Sequence, residues 1–318
     1  MKKIIINLIE TIPRTKITMF VLKTIRTRFK FIIDLVDPNN IRRKKTKSLL
    51  VPNYLKTTCD DANMIVNVND HIGYQTYLNN TFDNSLLLLS KFLQIDKNDI
   101  IIDVGANIGT TSVPTAKNSK CTVLSIEPSM NTYKELIKNI SLNRCRNIIP
   151  LNIALTKGDD SEELKFVELY QNIGNTGSNS IKKDWNNSVS KLINREICPA
   201  TTLDRTVKYF KMIRKVKLLK IDAEGMDLDI LEGSISLIHN EIPVLFEWRI
   251  DLSQTKEKDV QRVKKIFGSK YKFYKLDKIN NERLEFNSID LSEKADNVFA
   301  VSINSDLNNR IVTNGNSL

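Results

Sequence analysis

The sequence has few cysteines and histidines, and neither residue type is arranged as a metal site. The two histidines are His71 and His239, and they lie near no cysteine in the sequence. The cysteines are far apart and form no CxxC pair: Cys59, Cys121, Cys145 and Cys198. A zinc site or a disulfide scaffold is therefore not expected. Cysteines without a pattern suit a reducing compartment, where they act as small apolar side chains.

The sequence also lacks a long hydrophobic run. Between Lys16 and Lys23 the uncharged stretch 17–22 is far shorter than the roughly 20 residues that cross a bilayer. The apolar start of the chain is interrupted by Asn7 and Glu10, and no small-residue cleavage site follows it. We expect a cytoplasmic protein that does not span the membrane.

Negative charge is scarce only at the start of the chain. Residues 1–50 contain 13 Lys and Arg against 3 Asp and Glu, a balance of +10, whereas the formal net charge of the whole chain is +11. Residues 51–318 are therefore nearly neutral. The sequence has no zinc-finger spacing, no aromatic RNP-like strand and no Arg-rich recognition helix, so specific binding of nucleic acid is not expected.

Residues 1–50 have the pattern of basic amphipathic helices. Their apolar residues recur at helical spacing, with Lys and Arg between them: Ile5, Leu8, Ile9, Ile12, Val21, Ile25, Phe29, Ile32 and Val36. Two helices broken near Pro13 are predicted. The favoured interpretation is that they pack on the following domain or on a second subunit, since globular helices usually hide an apolar stripe in protein. The alternative is peripheral contact with an anionic membrane surface.

After the basic segment, short apolar runs alternate with helical stretches. This alternation is typical of an α/β fold, a mostly parallel sheet with helices on both faces. Strands are predicted at 64–68, 100–104, 122–126, 148–153, 164–169, 217–221, 244–247, 271–276 and 297–303, and helices at 86–93, 131–142, 228–237 and 257–267. Residues 172–180 are rich in Asn, Gly and Ser and are predicted to be a loop that shapes the ligand pocket. We expect one domain at 51–304 and a flexible tail at 305–318.

The turn after the predicted strand 100–104 is the first candidate site. Gly105 and Gly109 would let a ligand approach the backbone closely. A dinucleotide site would favour Gly-x-Gly-x-x-Gly, but Ala106 and Asn107 replace that spacing. The turn therefore suits a ligand without phosphates, such as S-adenosylmethionine.

Three polar residues at strand ends are candidates for contact with that ligand. Asp103 would attract its ammonium group, and Glu127 would accept hydrogen bonds from both ribose hydroxyls. Asn152 could reach the adenine, although an Asn there could equally well only satisfy backbone groups.

A second set of acidic residues follows a later buried strand. Asp222 and Glu224 lie at alternate positions and could point into one crevice, where one would orient the acceptor and the other would remove its proton. Alternatively, one of them caps the following helix. Glu247, at the end of the next strand, could complete an acidic rim.

Five ordered motifs resemble those of FkbM-family methyltransferases, over roughly residues 60–250. They are IDVGANIG at 102–109, IEP at 126–128, TTLD at 201–204, LKIDAEG at 219–225 and PVLFE at 243–247. The resemblance implies a class I methyltransferase (Rossmann-like) fold and transfer of a methyl group from S-adenosylmethionine to oxygen, often a sugar or metabolite hydroxyl. By position, it assigns to the cofactor site Asp103, Gly105, Asn107, Gly109 and Glu127.

The same resemblance implies that Asp204, Asp222 and Glu224 frame the acceptor. Two features depart from the family, namely Pro114 in the helix after the glycine turn and the unmatched residues 1–50. The expected function is methylation of a hydroxyl of a glycan, glycolipid or related metabolite. The alternatives are an NAD-dependent or nucleotide-sugar oxidoreductase and an inactive membrane-docking or assembly module.

Overall fold

The computed structural model describes residues 16–28, 52–158, 165–172, 174–183, 193–250, 255–279 and 283–315. The helices of these ranges are α1 (Lys16–Arg28), α2 (His71–Asn79), α3 (Ser85–Phe92), α4 (Ser112–Ser119), α5 (Met130–Leu142), α6 (Leu203–Tyr209), α7 (Asp227–Glu232), α8 (Ile235–His239), α9 (Lys256–Phe267) and α10 (Asp306–Gly315). The strands are β1 (Tyr54–Cys59), β2 (Ala62–Asn67), β3 (Ile100–Val104), β4 (Thr122–Ile126), β5 (Ile148–Leu151), β6 (Ala154–Leu155), β7 (Lys165–Asn172), β8 (Ile193–Thr201), β9 (Val216–Ile221), β10 (Val244–Glu247), β11 (Tyr271–Ile279), β12 (Arg283–Ser288) and β13 (Asn297–Ser302).

Eight strands form the central sheet, in the order β12-β11-β13-β10-β9-β3-β4-β5. Strands β3, β4, β5, β9 and β10 are parallel, and β13 runs antiparallel to both β10 and β11. From β3 the chain proceeds to β4 and β5 on one side, and later to β9 and β10 on the other side. The strand order therefore reverses between β3 and β9, the position at which open α/β sheets bind ligands.

Both faces of the sheet are covered, as its apolar strands predict. On one face, Ile102 of β3 belongs to a buried cluster with Leu231 of α7 and Val263 of α9. On the other face, Ile101 packs in a cluster with Leu86 of α3 and with α4 and α10. The α/β fold class predicted from the sequence is confirmed.

Two smaller sheets stand beside the central one. The hairpin β1–β2 contacts α2 and α5, and the side chain of Asn139 on α5 joins it to the turn after β3. Its Nδ2 donates to the carbonyl oxygens of Ile65 and Ile108, and its Oδ1 accepts from the Ile65 N–H. Strands β6, β8 and β7 form the second sheet. The strand predicted at 164–169 is β7, and it pairs with β8 rather than with the main sheet.

Other predictions need correction. The tail 305–318, predicted to be flexible, is helical over Asp306–Gly315, because Leu307 and Ile311 are one turn apart and both are buried. The helix predicted at 228–237 is divided into α7 and α8 at Gly233, where a Cβ would overlap the carbonyl oxygen of Thr156. Pro114 lies in the first turn of α4, where it is tolerated.

Of the two basic helices predicted within residues 1–50, the structure describes one, α1 at Lys16–Arg28; the remainder of that segment lies outside the described residues. Each helix of the described residues is too short or too polar to span a bilayer.

Candidate active site

A cavity of about 460 Å³ opens at the carboxyl ends of β3, β4 and β9. It lies where the strand order reverses, and its volume falls within the roughly 300–1,000 Å³ that is usual for ligand pockets. Its floor is the turn after β3, and its sides are the turns after β4, β9 and β10 and the loop that follows β7. The sheet topology therefore brings most of the sequence-predicted residues into one space.

Of the two glycines predicted to lie against the ligand, Gly105 lines the cavity, whereas Gly109 does not and instead packs against the side chains of Leu136 and Val113. Gly105 and Gly109 have φ angles of 78° and 91°, in the left-handed region that favours glycine. A Cβ at Gly105 would overlap the backbone oxygen of Asp222, so the turns after β3 and β9 are in close contact. Asn107 is also left-handed, and its Oδ1 accepts from the backbone N–H of Ile108 at 2.8 Å. Any side chain at position 105 would force these two turns apart.

Glu127 ends β4 and lines the cavity while being almost fully buried. Its Oε2 accepts from the backbone N–H of Asn107 at 3.1 Å, and its Oε1 accepts from that of Ser129 at 2.9 Å. Burial is the main reason that the pKa of Glu127 is raised to about 7, and these two hydrogen bonds oppose it. Because each carboxylate oxygen can accept two hydrogen bonds, both keep the capacity to accept one from a ligand hydroxyl.

Asp103 does not line the cavity, contrary to the direct ligand contact predicted for it. Its carboxylate is fully buried, and its Oδ2 accepts from the hydroxyls of Thr111 and Ser112 at 2.5 Å each. Its Oδ1 lies 3.5 Å from the Nζ of Lys220. The carboxylate of Asp103 therefore fixes the start of α4 and the ammonium group of Lys220, and it does so from a buried position outside the cavity.

Asn152 also lies outside the cavity lining. Its Nδ2 donates to the carbonyl oxygens of Glu127 and Pro128 at 2.9 Å each. The side chain of Asn152 thus only satisfies backbone groups, which was the alternative to an adenine contact. These two hydrogen bonds stabilise the turn that carries Glu127. The cavity is lined instead by the next two residues, Ile153 and Ala154.

Asp204 is not brought to the cavity either. It lies in the first turn of α6, and its Oδ1 and Oδ2 accept from the backbone N–H of Ser236 at 3.1 and 2.9 Å. Its own N–H donates to the carbonyl oxygen of Gly233. The predicted acceptor contact is thus replaced by a link between α6 and the start of α8.

Lys220 is a cavity residue that sequence reasoning missed. Its side chain is only 2% exposed, and its Nζ donates to the Oδ2 of Asp222 at 3.1 Å. Burial alone would lower the pKa of Lys220, but the carboxylates of Asp222, Asp103 and Asp83 raise it above its ordinary value. A lysine between the apolar residues Leu219 and Ile221 of a parallel strand was the available signal, because lysine is almost never fully buried without a partner.

Asp222, Glu224 and Glu247 form an acidic rim on the cavity, as the sequence predicted. Burial, followed by the charges of Asp222, Asp227 and Glu224, raises the pKa of Glu247 to about 9, although Arg249 opposes this effect. Glu224 has a φ of 46°, and its carbonyl oxygen accepts from a serine hydroxyl of the loop after β7 at 2.7 Å. A pKa of about 9 leaves Glu247 protonated at neutral pH, so the negative charge of the rim lies on its other carboxylates, and that charge favours a positively charged ligand.

The loop after β7 covers one side of the cavity, in agreement with its predicted role. Residues 175–177 and 179–181 line the cavity. The backbone N–H of Thr176 donates to the Oδ1 of Asp70 at 2.7 Å, and a Cβ at Gly177 would meet the side chain of Ile72. The loop is therefore held against the start of α2.

Asp83 lines the same cavity and was not predicted from the sequence. Its Oδ1 accepts from the Nζ of Lys278 at 3.0 Å and from the hydroxyl of Ser85 at 2.6 Å. Although burial opposes it, the positive charges of Lys278 and Lys220 lower the pKa of Asp83 to about 2. This residue is therefore ionised at neutral pH and adds to the negative charge of the site.

Comparison with known proteins gives a family and several curated relatives, two of which match over about 150 residues. The model of the FkbM methyltransferase domain matches residues 103–274. Methyltransferase 1 of Beauveria bassiana is 28% identical over 144 residues, which are 42% of this chain and 57% of that protein. Hexuronic acid methyltransferase AglP of Haloferax volcanii is 23% identical over 154 residues, which are 48% of this chain and 57% of that protein. The matched region is thus little more than half of either relative.

Among solved structures, M. jannaschii TYW2 in complex with AdoMet aligns with 79% of this chain and 86% of its own, at 13% identity and a TM-score of 0.41. A similarity at that score is too distant to support an argument about function. The domain match carries the assignment, because it covers more than half of the sequence. The chain therefore belongs to the FkbM methyltransferase family, whose cofactor is S-adenosylmethionine.

Proposed function

We propose that the protein transfers a methyl group from S-adenosylmethionine to a hydroxyl oxygen of a glycan, a glycolipid or a related metabolite. One observation carries this proposal. A single cavity at the reversal of strand order contains the open glycine turn after β3, the buried carboxylate of Glu127 and the acidic rim of Asp222, Glu224 and Glu247. The first two features suit the nucleoside part of S-adenosylmethionine. The rim suits the positive charge on its sulfur and can accept the proton that an acceptor hydroxyl loses.

The residues of the cavity fit the cofactor of the family. Glu127 retains acceptor capacity for two ribose hydroxyls, and Gly105, Ala106 and Asn107 of the turn after β3 line the cavity. S-adenosylmethionine supplies an electrophilic methyl group on a positively charged sulfur, for which the acidic rim provides a complementary potential. Asp103 contributes indirectly, since it fixes the turn through Thr111 and Ser112.

Asp222 is the candidate base. Its side chain is 40% exposed toward the cavity side of β9, and Lys220 fixes its Oδ2 at 3.1 Å. The other oxygen, Oδ1, remains able to accept the proton of an acceptor hydroxyl. Glu224 is the candidate for orienting the acceptor. Glu247, whose pKa is about 9, holds a proton at neutral pH and can donate a hydrogen bond to an acceptor oxygen.

The acceptor class has separate support. The similarity to a protein named hexuronic acid methyltransferase suggests a sugar acceptor for this chain. The polar side of the cavity near the loop after β7, with Asn175, Thr176 and Asn179, offers groups that can hydrogen-bond to sugar hydroxyls.

An oxidoreductase function is not proposed, because the cofactor of the family is S-adenosylmethionine and not NAD. An inactive module would not need the acidic residues that line the cavity.

The four free cysteines support a reducing compartment such as the cytoplasm.

Mass spectrometry of surface glycans and lipids from cells with and without the gene tests this function. We expect one or more glycan or glycolipid species to lose the mass of one methyl group when the gene is deleted. Restoring the wild-type gene should recover that mass, whereas the Asp222→Asn variant should not. Unchanged glycans and lipids together with a methylated protein or RNA would contradict the proposed acceptor class.

A further inference from the structure

Helix α1 is attached to the domain by one of its faces. Met19 is completely buried in the core cluster that also contains Leu55 and Tyr77. One turn later, the Nζ of Lys23 donates to the Oδ1 of Asn80 at 2.8 Å and to the hydroxyl of a threonine on β1, and it lies 4.8 Å from the ring centroid of Tyr77. The orientation of α1 on α2 and β1 is thus fixed by both apolar and polar contacts.

The opposite face of α1 is apolar and exposed. Ile17, Phe20 and Val21 are 76%, 66% and 46% exposed. Their spacing of i, i+3 and i+4 places them on one side of the helix, roughly opposite Met19 and Lys23. Helices that only cover a core do not place three large apolar residues together in water, so this face has the character of a contact surface.

Two lysines lie beside this apolar face. Lys16 and Lys56 are exposed, and together with Ile17, Phe20 and the half-exposed Tyr54 they line a shallow groove of about 620 Å³ between α1 and β1. The sequence segment that contains α1, residues 1–50, carries a net charge of +10. Apolar and aromatic residues beside lysines are the composition of helices that lie in the interface of an anionic bilayer.

We propose that the face formed by Ile17, Phe20 and Val21, with Tyr54, Lys16 and Lys56 beside it, docks the protein on an anionic membrane surface. Helix α1 would lie in the plane of the membrane, because it has 13 residues and crossing a bilayer requires roughly 20. The apolar side chains would enter the boundary between headgroups and acyl chains, and the lysines would contact anionic headgroups.

A second copy of the chain is a less suitable occupant of this face. In a two-fold symmetric dimer the same surface meets itself, so Lys16 and Lys56 of one copy would lie close to those of the other. An anionic membrane instead complements the charge, and each Lys or Arg near its surface adds to binding. The inference does not depend on the proposed enzymatic function.

Co-sedimentation of the full chain with vesicles tests this proposal. The vesicles contain phosphatidylcholine alone or phosphatidylcholine with about one third phosphatidylglycerol. We expect binding to the anionic vesicles to be at least about tenfold stronger than binding to the neutral ones and to weaken as salt is raised. The Ile17→Ser/Phe20→Ser double variant should bind the anionic vesicles about tenfold more weakly, and Lys16→Glu/Lys56→Glu should have a similar effect.

The chain offers a matched control. Ile197 and Phe166 are 72% and 68% exposed on the sheet of β7 and β8, and neither lines the groove beside α1. The Ile197→Ser/Phe166→Ser variant removes the same residue types at nearly the same exposure and should keep wild-type vesicle binding. Thermal melting and binding of S-adenosylhomocysteine confirm that each variant is folded.

Three results would overturn the proposal. One is unchanged vesicle binding by folded Ile17→Ser/Phe20→Ser protein, which would assign any binding to charge alone. Another is an equal loss of vesicle binding in the Ile197→Ser/Phe166→Ser control. The third is a wild-type dimer in sedimentation velocity that becomes a monomer in Ile17→Ser/Phe20→Ser while neither protein binds vesicles, which would identify the face as a self-association surface.

Discussion

Replacing Lys220 by methionine should lower the stability of the fold, because it removes the cation from a buried network of charges. The lysine lies 3.1 Å from the Oδ2 of Asp222 and 3.5 Å from the Oδ1 of Asp103, and both Lys220 and Asp103 are almost completely shielded from solvent. Methionine preserves most of the length and the apolar stem of the side chain but leaves Asp103 without its cation. Removing one partner of a buried ion pair typically costs about 3–5 kcal/mol, a large part of the roughly 5–15 kcal/mol that stabilises a domain.

Urea unfolding of the wild type and of Lys220→Met, followed by circular dichroism, measures this cost. In the variant, the carboxyl group of Asp103 would be left in the core with the hydroxyls of Thr111 and Ser112 as its remaining side-chain partners. Lys220→Met/Asp103→Asn should recover much of the lost stability. Lys217→Met, at an exposed position of the same strand, is the control and should be nearly neutral. A loss of stability below about 1 kcal/mol, the range typical of exposed pairs, would show that Lys220 does not hold a buried ion pair.

Three further predictions concern the carboxylates of the cavity. Glu127→Ala should weaken binding of S-adenosylhomocysteine by about 1.5–3 kcal/mol through loss of charge-assisted ribose contacts, and calorimetric affinity equal to the wild type would reject that role. Asp222→Asn should keep this affinity but lower turnover, whereas wild-type turnover in a methyl-transfer assay would leave Asp222 a structural role only. The folded-state pKa of Glu247 is about 9, against an ordinary glutamate pKa of 4.5, so the folded protein retains a proton that the unfolded chain releases. Stability without cofactor should therefore fall as the pH rises from about 4.5 to about 9, and Glu247→Gln should make this fall less steep in thermal melts; an identical slope would contradict it.

The parts of the fold that local patterns determine could be predicted from the sequence. The predicted bounds of Ile100–Val104, Thr122–Ile126 and Val244–Glu247 agree with the structure, because short apolar runs bounded by turn residues define buried parallel strands. The turn after β3 could be recognised because Gly105 and Gly109 follow directly on such an apolar run. In the tail, the spacing of the buried residues Leu307 and Ile311 is typical of a helix that packs one side on the domain.

The orientation and long-range partners of polar side chains could not be predicted in the same way. Asp103 was expected to face the ligand, but the alternation of β3 directs it toward Thr111, Ser112 and Lys220. Asp204 binds the backbone of Ser236, 32 residues away, a pairing that depends on how α6 and α8 pack. The residue types of the motifs therefore identified the region of the site, while the division between ligand-facing and structural residues depends on long-range packing.

Isothermal titration of the full chain with S-adenosylhomocysteine, and separately with NAD, tests most directly whether this cavity is the cofactor site. We expect one S-adenosylhomocysteine site per chain, weakened by Glu127→Ala and retained in Asp222→Asn, with no heat of binding from NAD. Binding of NAD without binding of S-adenosylhomocysteine, or S-adenosylhomocysteine affinity that is unaffected by Glu127→Ala, would contradict it.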